Sequence, residues 1–141
     1  MVIALIAHDS RKSLLSQFCF AYAGILSRHT LIATGVTGRR IEEETGLHIE
    51  RCLAGSKGGA EQLTSRIACG EVDMLLFFRD PLYARAEEPN EHALLRVCDL
   101  HGVPAATNIA TAEMLIHGLE NGDLAWREVL KGEKKQIPCA V

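Results

Sequence analysis

No excess of positive charge marks this chain. Fifteen Lys and Arg oppose eighteen Asp and Glu, for a net charge of −3 and a pI near 6.1. A phosphate-backbone binder shows a basic face and a high pI, so nucleic acid is not an expected partner. No apolar run approaches the roughly 20 residues that a membrane helix needs, and no membrane partner is expected. The apolar start Val2 to Ala7 runs straight into His8-Asp9. It is too short for a secretory core, and the expected location is the cytoplasm. Cys19, Cys52, Cys69, Cys98 and Cys139 form no CxxC pair and are odd in number. They read as reduced thiols rather than a disulfide framework. His8, His29, His48, His92, His101 and His117 show no metal-ligand spacing with the cysteines or acids, so no metal site is expected. GxGxxG, Walker, GxSxG and HExxH patterns are missing as well. No internal repeat or linker divides the 141 residues, a length that suits one domain.

What is present is alternation. Short β-rich apolar runs precede longer helical patterns, which is the mark of βαβ units around a parallel sheet. Strands are predicted at Val2 to Ala7, Thr30 to Thr34, His48 to Leu53, Asp73 to Phe78 and Pro104 to Thr107. Helices are predicted near Ser10 to Leu26, Thr37 to Thr45, Ala60 to Cys69, Glu91 to His101, Thr111 to Leu119 and Ala125 to Leu130. Gly46, Gly70, Gly102 and Gly118 read as stop signals. The expected fold class is α/β, a single Rossmann-like three-layer α/β/α domain with a five-stranded parallel sheet. Its expected span is residues 1–132. A loose tail is expected over 133–141, with looseness beginning near Lys131.

In such a sheet ligands bind outside the carboxyl ends of the strands, and every polar cluster falls there. His8-Asp9 ends the first strand, Thr34-Gly35-Val36-Thr37-Gly38 the second, Ala54 to Gly59 the third, Arg79-Asp80 the fourth and Thr107-Asn108 the fifth. Three of the turns join small or hydroxyl residues to a cation at a helix start, where unpaired N–H groups and the helix dipole favour an anion. A neutral His8 at a strand end can position or polarise a substrate. Each piece also has an ordinary structural explanation. Asp9 or Thr37 can cap a helix, Lys12 can be a solvated cation, and Asp80 before a proline can shape a turn.

Taken in order, ALIAHDSRK, LIATGVTGRRIEEETGLHIER, AGSKGGAEQ, LLFFRDPL, EPNEHALLRVCD and PAATNIATAEML resemble the methylglyoxal synthase family, from Val2 to about Gly132. The resemblance implies a Rossmann-like domain, a homohexamer with active sites near subunit contacts, and a reaction without metal or organic cofactor. Dihydroxyacetone phosphate would lose inorganic phosphate to give methylglyoxal. It also implies a grip on the phosphoester, or on inorganic phosphate, by His8, Lys12, Thr34, Gly35, Thr37 and Gly55, with Asp9 and Asp80 in the catalytic group.

Five positions depart from the family pattern. Ala60 stands where the family has its proton-abstracting aspartate, Glu87 for a histidine, Asn90 for an aspartate, Val36 for a threonine and Ala54 for a serine. Glu61 and Glu87 are the candidate replacement bases, and both also read as exposed surface acids. Three outcomes stay open: turnover of dihydroxyacetone phosphate, a sensory protein that binds phosphate or triose phosphate without chemistry, or an enzyme acting on another phosphoester.

Overall fold

Six apolar residues, Val2–Ala7, form the strand β1 from which the sheet grows on both sides. The computed structural model describes residues 1–134. The five strands are β1, β2 (Thr30–Ala33), β3 (Glu50–Arg51), β4 (Met74–Phe78) and β5 (Ala105–Ala106). All pair in parallel, in the order β3-β2-β1-β4-β5. Helices α1 (Lys12–Ala21), α2 (Ala23–Leu26), α3 (Gly35–Thr45), α4 (Gly59–Ala68), α5 (Glu91–His101), α6 (Ile109–Glu120) and α7 (Trp126–Lys134) complete the described chain.

Period-two alternation in the central strands sorts the core into two layers. Ile3, Leu5, Met74, Leu76 and Phe78 face Leu15 and Phe18 of α1, Ile41 of α3 and Ile116 of α6. Ala4, Ile6, Leu75 and Phe77 face Leu63 and Ile67 of α4 and Leu94 of α5. Full burial of a side chain such as Leu63 or Ile67 contributes roughly 1.5–3 kcal/mol. The α/β/α architecture expected from the sequence is therefore present, with both faces of the sheet covered.

Several boundaries differ from the sequence reading, each for a local reason. β3 and β5 shrink to two residues because each is an edge strand with one neighbour, and only Glu50 and Arg51 find register with Ile32 and Ala33. The first long helix is a 3-10 turn at Asp9–Arg11, then α1 and α2, which part at Tyr22 (φ −106, ψ 21) two residues before Gly24. Gly118 is no stop. It lies inside α6, and Asp123 returns to donate its N–H to the Gly118 carbonyl at 2.9 Å. The left-handed stop is Gly122, at φ 80. Cys19, Cys52 and Cys98 are free thiols, whereas Cys69 is disulfide-bonded, which corrects the reading of all five as reduced. Cys139 and the rest of the expected loose tail, 135–141, lie outside the described residues.

The onset of looseness at Lys131 is also corrected. Lys131 belongs to α7, and its ammonium meets Oδ2 of the fully buried Asp73 at 2.7 Å. Val2 N–H donates to the same oxygen at 2.8 Å, and Arg127 Nε lies 3.7 Å from the other. A carboxylate cannot stay in the core without such partners. Lys131→Ala leaves it short of a countercharge and is expected to cost about 2 kcal/mol or more in a urea melt. Asp73→Asn combined with Lys131→Met is expected to recover much of that loss, because the unpaired charge is then gone.

Candidate functional site

The winding of the sheet reverses between β1 and β4, and a doubly wound sheet opens its ligand crevice at that reversal. His8 leaves β1 there and continues the sheet by donating its backbone N–H to Phe78 O at 3.1 Å. Its ring is buried edge-on against Phe77. The Asp80 N–H donates to Nδ1 at 2.7 Å, so Nδ1 carries no proton and the ring proton sits on Nε2, which donates to Pro89 O at 3.1 Å. His8 is thus held as a neutral donor.

On the β2 side, Thr34 occupies the N-cap position of α3 without using its hydroxyl as a cap. Gly35 N–H is taken by Leu53 O at 3.0 Å, and Gly38 N–H by Thr34 O at 2.8 Å. The Val36 and Thr37 N–H groups have no acceptor among the described residues. The Thr37 hydroxyl, in a residue 1% exposed, has no partner either. A buried donor without a partner is costly, so this turn is preorganised for an acceptor. A side chain at position 35 would press on Cys52 O at 3.1 Å, which explains the glycine. The Val36 side chain, by contrast, stands 57% exposed at the rim.

The third turn is fixed by its glycines. Gly58 has φ 96, and any Cβ at Gly59 would lie 2.0 Å from Leu53 O, so the start of α4 is locked against the end of the preceding loop. Ala60 then points into the apolar layer with Leu63 and Ile67. Glu61 instead curls back toward Gly58, its Oε2 4.0 Å from where a Cβ there would stand, and its carboxylate has no partner among the described residues. Gly55 abuts Pro89, whose Cγ lies 3.1 Å from the Cβ position.

The segment 81–90 closes over these turns. Glu88 is its anchor: Oε2 accepts the Asp9 N–H at 2.9 Å, and Oε1 accepts the Arg85 N–H at 3.1 Å. Burial pushes the Glu88 carboxyl up, but those N–H bonds and the Arg85 guanidinium bring it below its ordinary value. Arg85 also pairs with Asp9 and with Glu87, at 3.5 Å for the latter. Lys12 hydrogen-bonds Asp9, and that bond above all lowers the Asp9 carboxyl. Asp80 holds the base of the segment. Its Oδ1 accepts from Leu82 and Tyr83 N–H at 3.0 and 2.9 Å, and Oδ2 from Ser10 at 2.7 Å.

The residues singled out in the sequence therefore converge on one end of the sheet, but not in equal roles. Asp9, Asp80 and Glu87 are engaged in pairs or turns, and Glu61 is not. Glu88, Arg85 and Pro89 were not singled out. Their contacts with residues 8 and 9 span 76 to 81 positions, and no local spacing signals them. Among the described residues no three His, Cys, Asp or Glu are grouped to hold a metal ion, and no helix is long and apolar enough to cross a membrane.

A family model described as the MGS-like domain matches residues 18–107. A methylglyoxal synthase of Caldicellulosiruptor saccharolyticus is 58% identical over 130 residues, covering 92% of each chain. The chain belongs to the methylglyoxal synthase family. Within that family, a methylglyoxal synthase of Oceanobacillus iheyensis is 52% identical over 136 residues, covering 96% of this chain and 97% of its own. The crystal structure of methylglyoxal synthase from Elizabethkingia anophelis superposes with a TM-score of 0.80 at 40% identity, over 82% of this chain and 76% of that one. Fold and family thus agree across nearly the whole length.

Within the family fold, Asp80 yields a pH test. Backbone N–H bonds from Tyr83 and Leu82, joined by Ser10, hold its carboxyl at about 2, below the ordinary 3.8. A depressed carboxyl contributes stability above its unfolded value and loses it as pH falls toward the folded one. Stability is expected to fall between about pH 4 and pH 2, and Asp80→Asn to flatten that limb in melts run across this range. An unchanged limb in the variant would show that other carboxylates carry it.

Proposed function

We propose that this chain converts dihydroxyacetone phosphate to methylglyoxal and inorganic phosphate, as a carbon–oxygen lyase without cofactor, in a cytoplasmic homohexamer. The observation that carries the reading is the unfilled anion cradle. The Thr37 hydroxyl and the Val36 and Thr37 N–H groups have no partner among the described residues, beside the helix that bears Lys12. Thr34, Gly35 and Gly55 frame the same end, and a phosphate there would satisfy these donors.

Proton removal needs a carboxylate free to accept. Asp80 is saturated and too acidic, Asp9 and Glu87 are paired to cations, and Glu88 holds the closing segment. Glu61 alone of this group has no partner among the described residues. It takes the proton from the hydroxymethyl carbon beside the ketone. His8 Nε2–H, once released from Pro89 O, donates to the oxygen that becomes the enediolate. The enediolate oxygen takes up the proton held on Glu61, and the hydroxyl of the deprotonated carbon gives its proton to the departing phosphate as that oxygen becomes the aldehyde carbonyl. The double bond shifts toward the phosphate-bearing carbon, whose carbon–oxygen bond breaks with its pair leaving on phosphate, and the enol left behind tautomerises to methylglyoxal.

A second reading rests on Ala60, whose apolar packing gives no carboxylate at the family position. On that reading the cradle binds phosphate or a triose phosphate as a sensor without turnover. An enzyme for another phosphoester, with the pocket recut at Val36, Ala54, Glu87 and Asn90, is the third.

A methylglyoxal assay at high protein concentration separates them. Turnover above the blank is expected, with Glu61→Gln lowering kcat about 10²-fold. Ala60→Asp is expected to raise the rate by restoring a carboxylate at the family position. A blank rate for the wild-type chain, together with saturable heat stabilisation by phosphate, assigns the sensor role instead.

A further inference from the structure

On the other side of β1 from the cradle, a cavity of about 290 Å³ opens between the start of α1 and the start of α6, above the ends of β4 and β5. Its polar lining is Arg11, Arg79, Thr107 and Asn108, and no acid lines it. The Arg11 guanidinium makes no hydrogen bond and no ion pair among the described residues, its backbone N–H alone being engaged, with His8 O at 2.9 Å. Arg79 lies 3.5 Å from Glu91, whose Oε2 is buried without a hydrogen bond, so the guanidinium is balanced in charge but not engaged. Asp80 stands near Arg11 but is saturated by Ser10, Leu82 and Tyr83. Asn108 gives its oxygen to Thr111 N–H at 3.1 Å, which turns its amide N–H groups outward. The Arg11 guanidinium and the Asn108 amide therefore offer donors without an acceptor among the described residues, beside an Arg79 whose charge Glu91 balances without a hydrogen bond. Leu14, Phe78 and Ile109 supply an apolar wall beside them.

We propose that this cavity is a second anion site, for one phosphate or carboxylate group carried on a short apolar body. Two planar guanidinium groups match the oxygens of such an anion, and the body covers Leu14, Phe78 and Ile109. The volume admits a small organic anion and is larger than a bare phosphate requires. The site is separate from the cradle, because β1 and the Ser10–Asp80 hydrogen bond stand between them.

Calorimetric titration of phenyl phosphate into Lys12→Met protein tests this, since that change removes the cation of the cradle and leaves the cavity whole. One saturable site per chain is expected. Arg11→Gln combined with Arg79→Gln should weaken it at least about tenfold, while the Lys pair at the same positions, which keeps the charge but loses the planar forks, should recover only part of that loss. Inorganic phosphate should bind this site more weakly than phenyl phosphate, because it leaves the apolar wall uncovered. Melting curves for every variant separate loss of the site from loss of the fold, and the single Arg11→Gln and Arg79→Gln proteins serve if the pair melts early. No binding to Lys12→Met, or binding that survives loss of both arginines, overturns the proposal. The cradle fails by a different sign: inorganic phosphate bound equally by wild type and Lys12→Met.

Discussion

His8 joins the two strands between which the sheet reverses its winding, and the geometry of the site follows from its two ring bonds. One nitrogen receives the Asp80 N–H at the end of β4, and the other holds the Pro89 carbonyl of the segment that covers the crevice. Because the first bond fixes the tautomer, the second is necessarily a donation. The same imidazole therefore sets the floor of the crevice and retains its cover. On the proposed function, release of the Pro89 carbonyl would free a proton-bearing nitrogen for the substrate, so access and hydrogen-bond donation would be linked through one group.

Charge is arranged around this point with little left over. Lys12 and Arg85 converge on Asp9, Arg85 also meets Glu87 and Glu88, and Asp80 is consumed by its own turn. On the proposed function, an incoming phosphate would compete with Asp9 for Lys12, and Asp9 is also the residue that Arg85 of the covering segment holds. Exposed ion pairs of this sort contribute little stability, so the covering segment is held mainly by the Glu88 and His8 hydrogen bonds.

The sequence made the centre of the fold legible and its margins much less so. Val2–Ala7 and Met74–Phe78 are apolar without alternation because both of their faces are covered, and such runs read as strands wherever they occur. β3 and β5 were overextended because an edge strand is defined by the neighbour it finds, not by its own residues. The site divides in the same way. Residues at the carboxyl ends of strands were found from position alone, whereas Glu88 looked like one more acid in a polar stretch. Its value comes from the Asp9 N–H that it caps 79 positions away. The orientation of Ala60 and Glu61 was likewise set by Gly59 against Leu53, a contact that no periodicity encodes.

Asp73 has a bearing on how the chain reaches this state. It stands at the threshold of β4, which pairs with β1 in the middle of the sheet, yet the ammonium that meets it lies 58 positions further along. During synthesis the central strand leaves the ribosome well before α7 does. Until then the strand can be buried only with a carboxylate that has the Val2 N–H but no countercharge. The charge at the centre of the sheet is thus balanced from the far end of the described chain, and full burial of the central strand draws on α7.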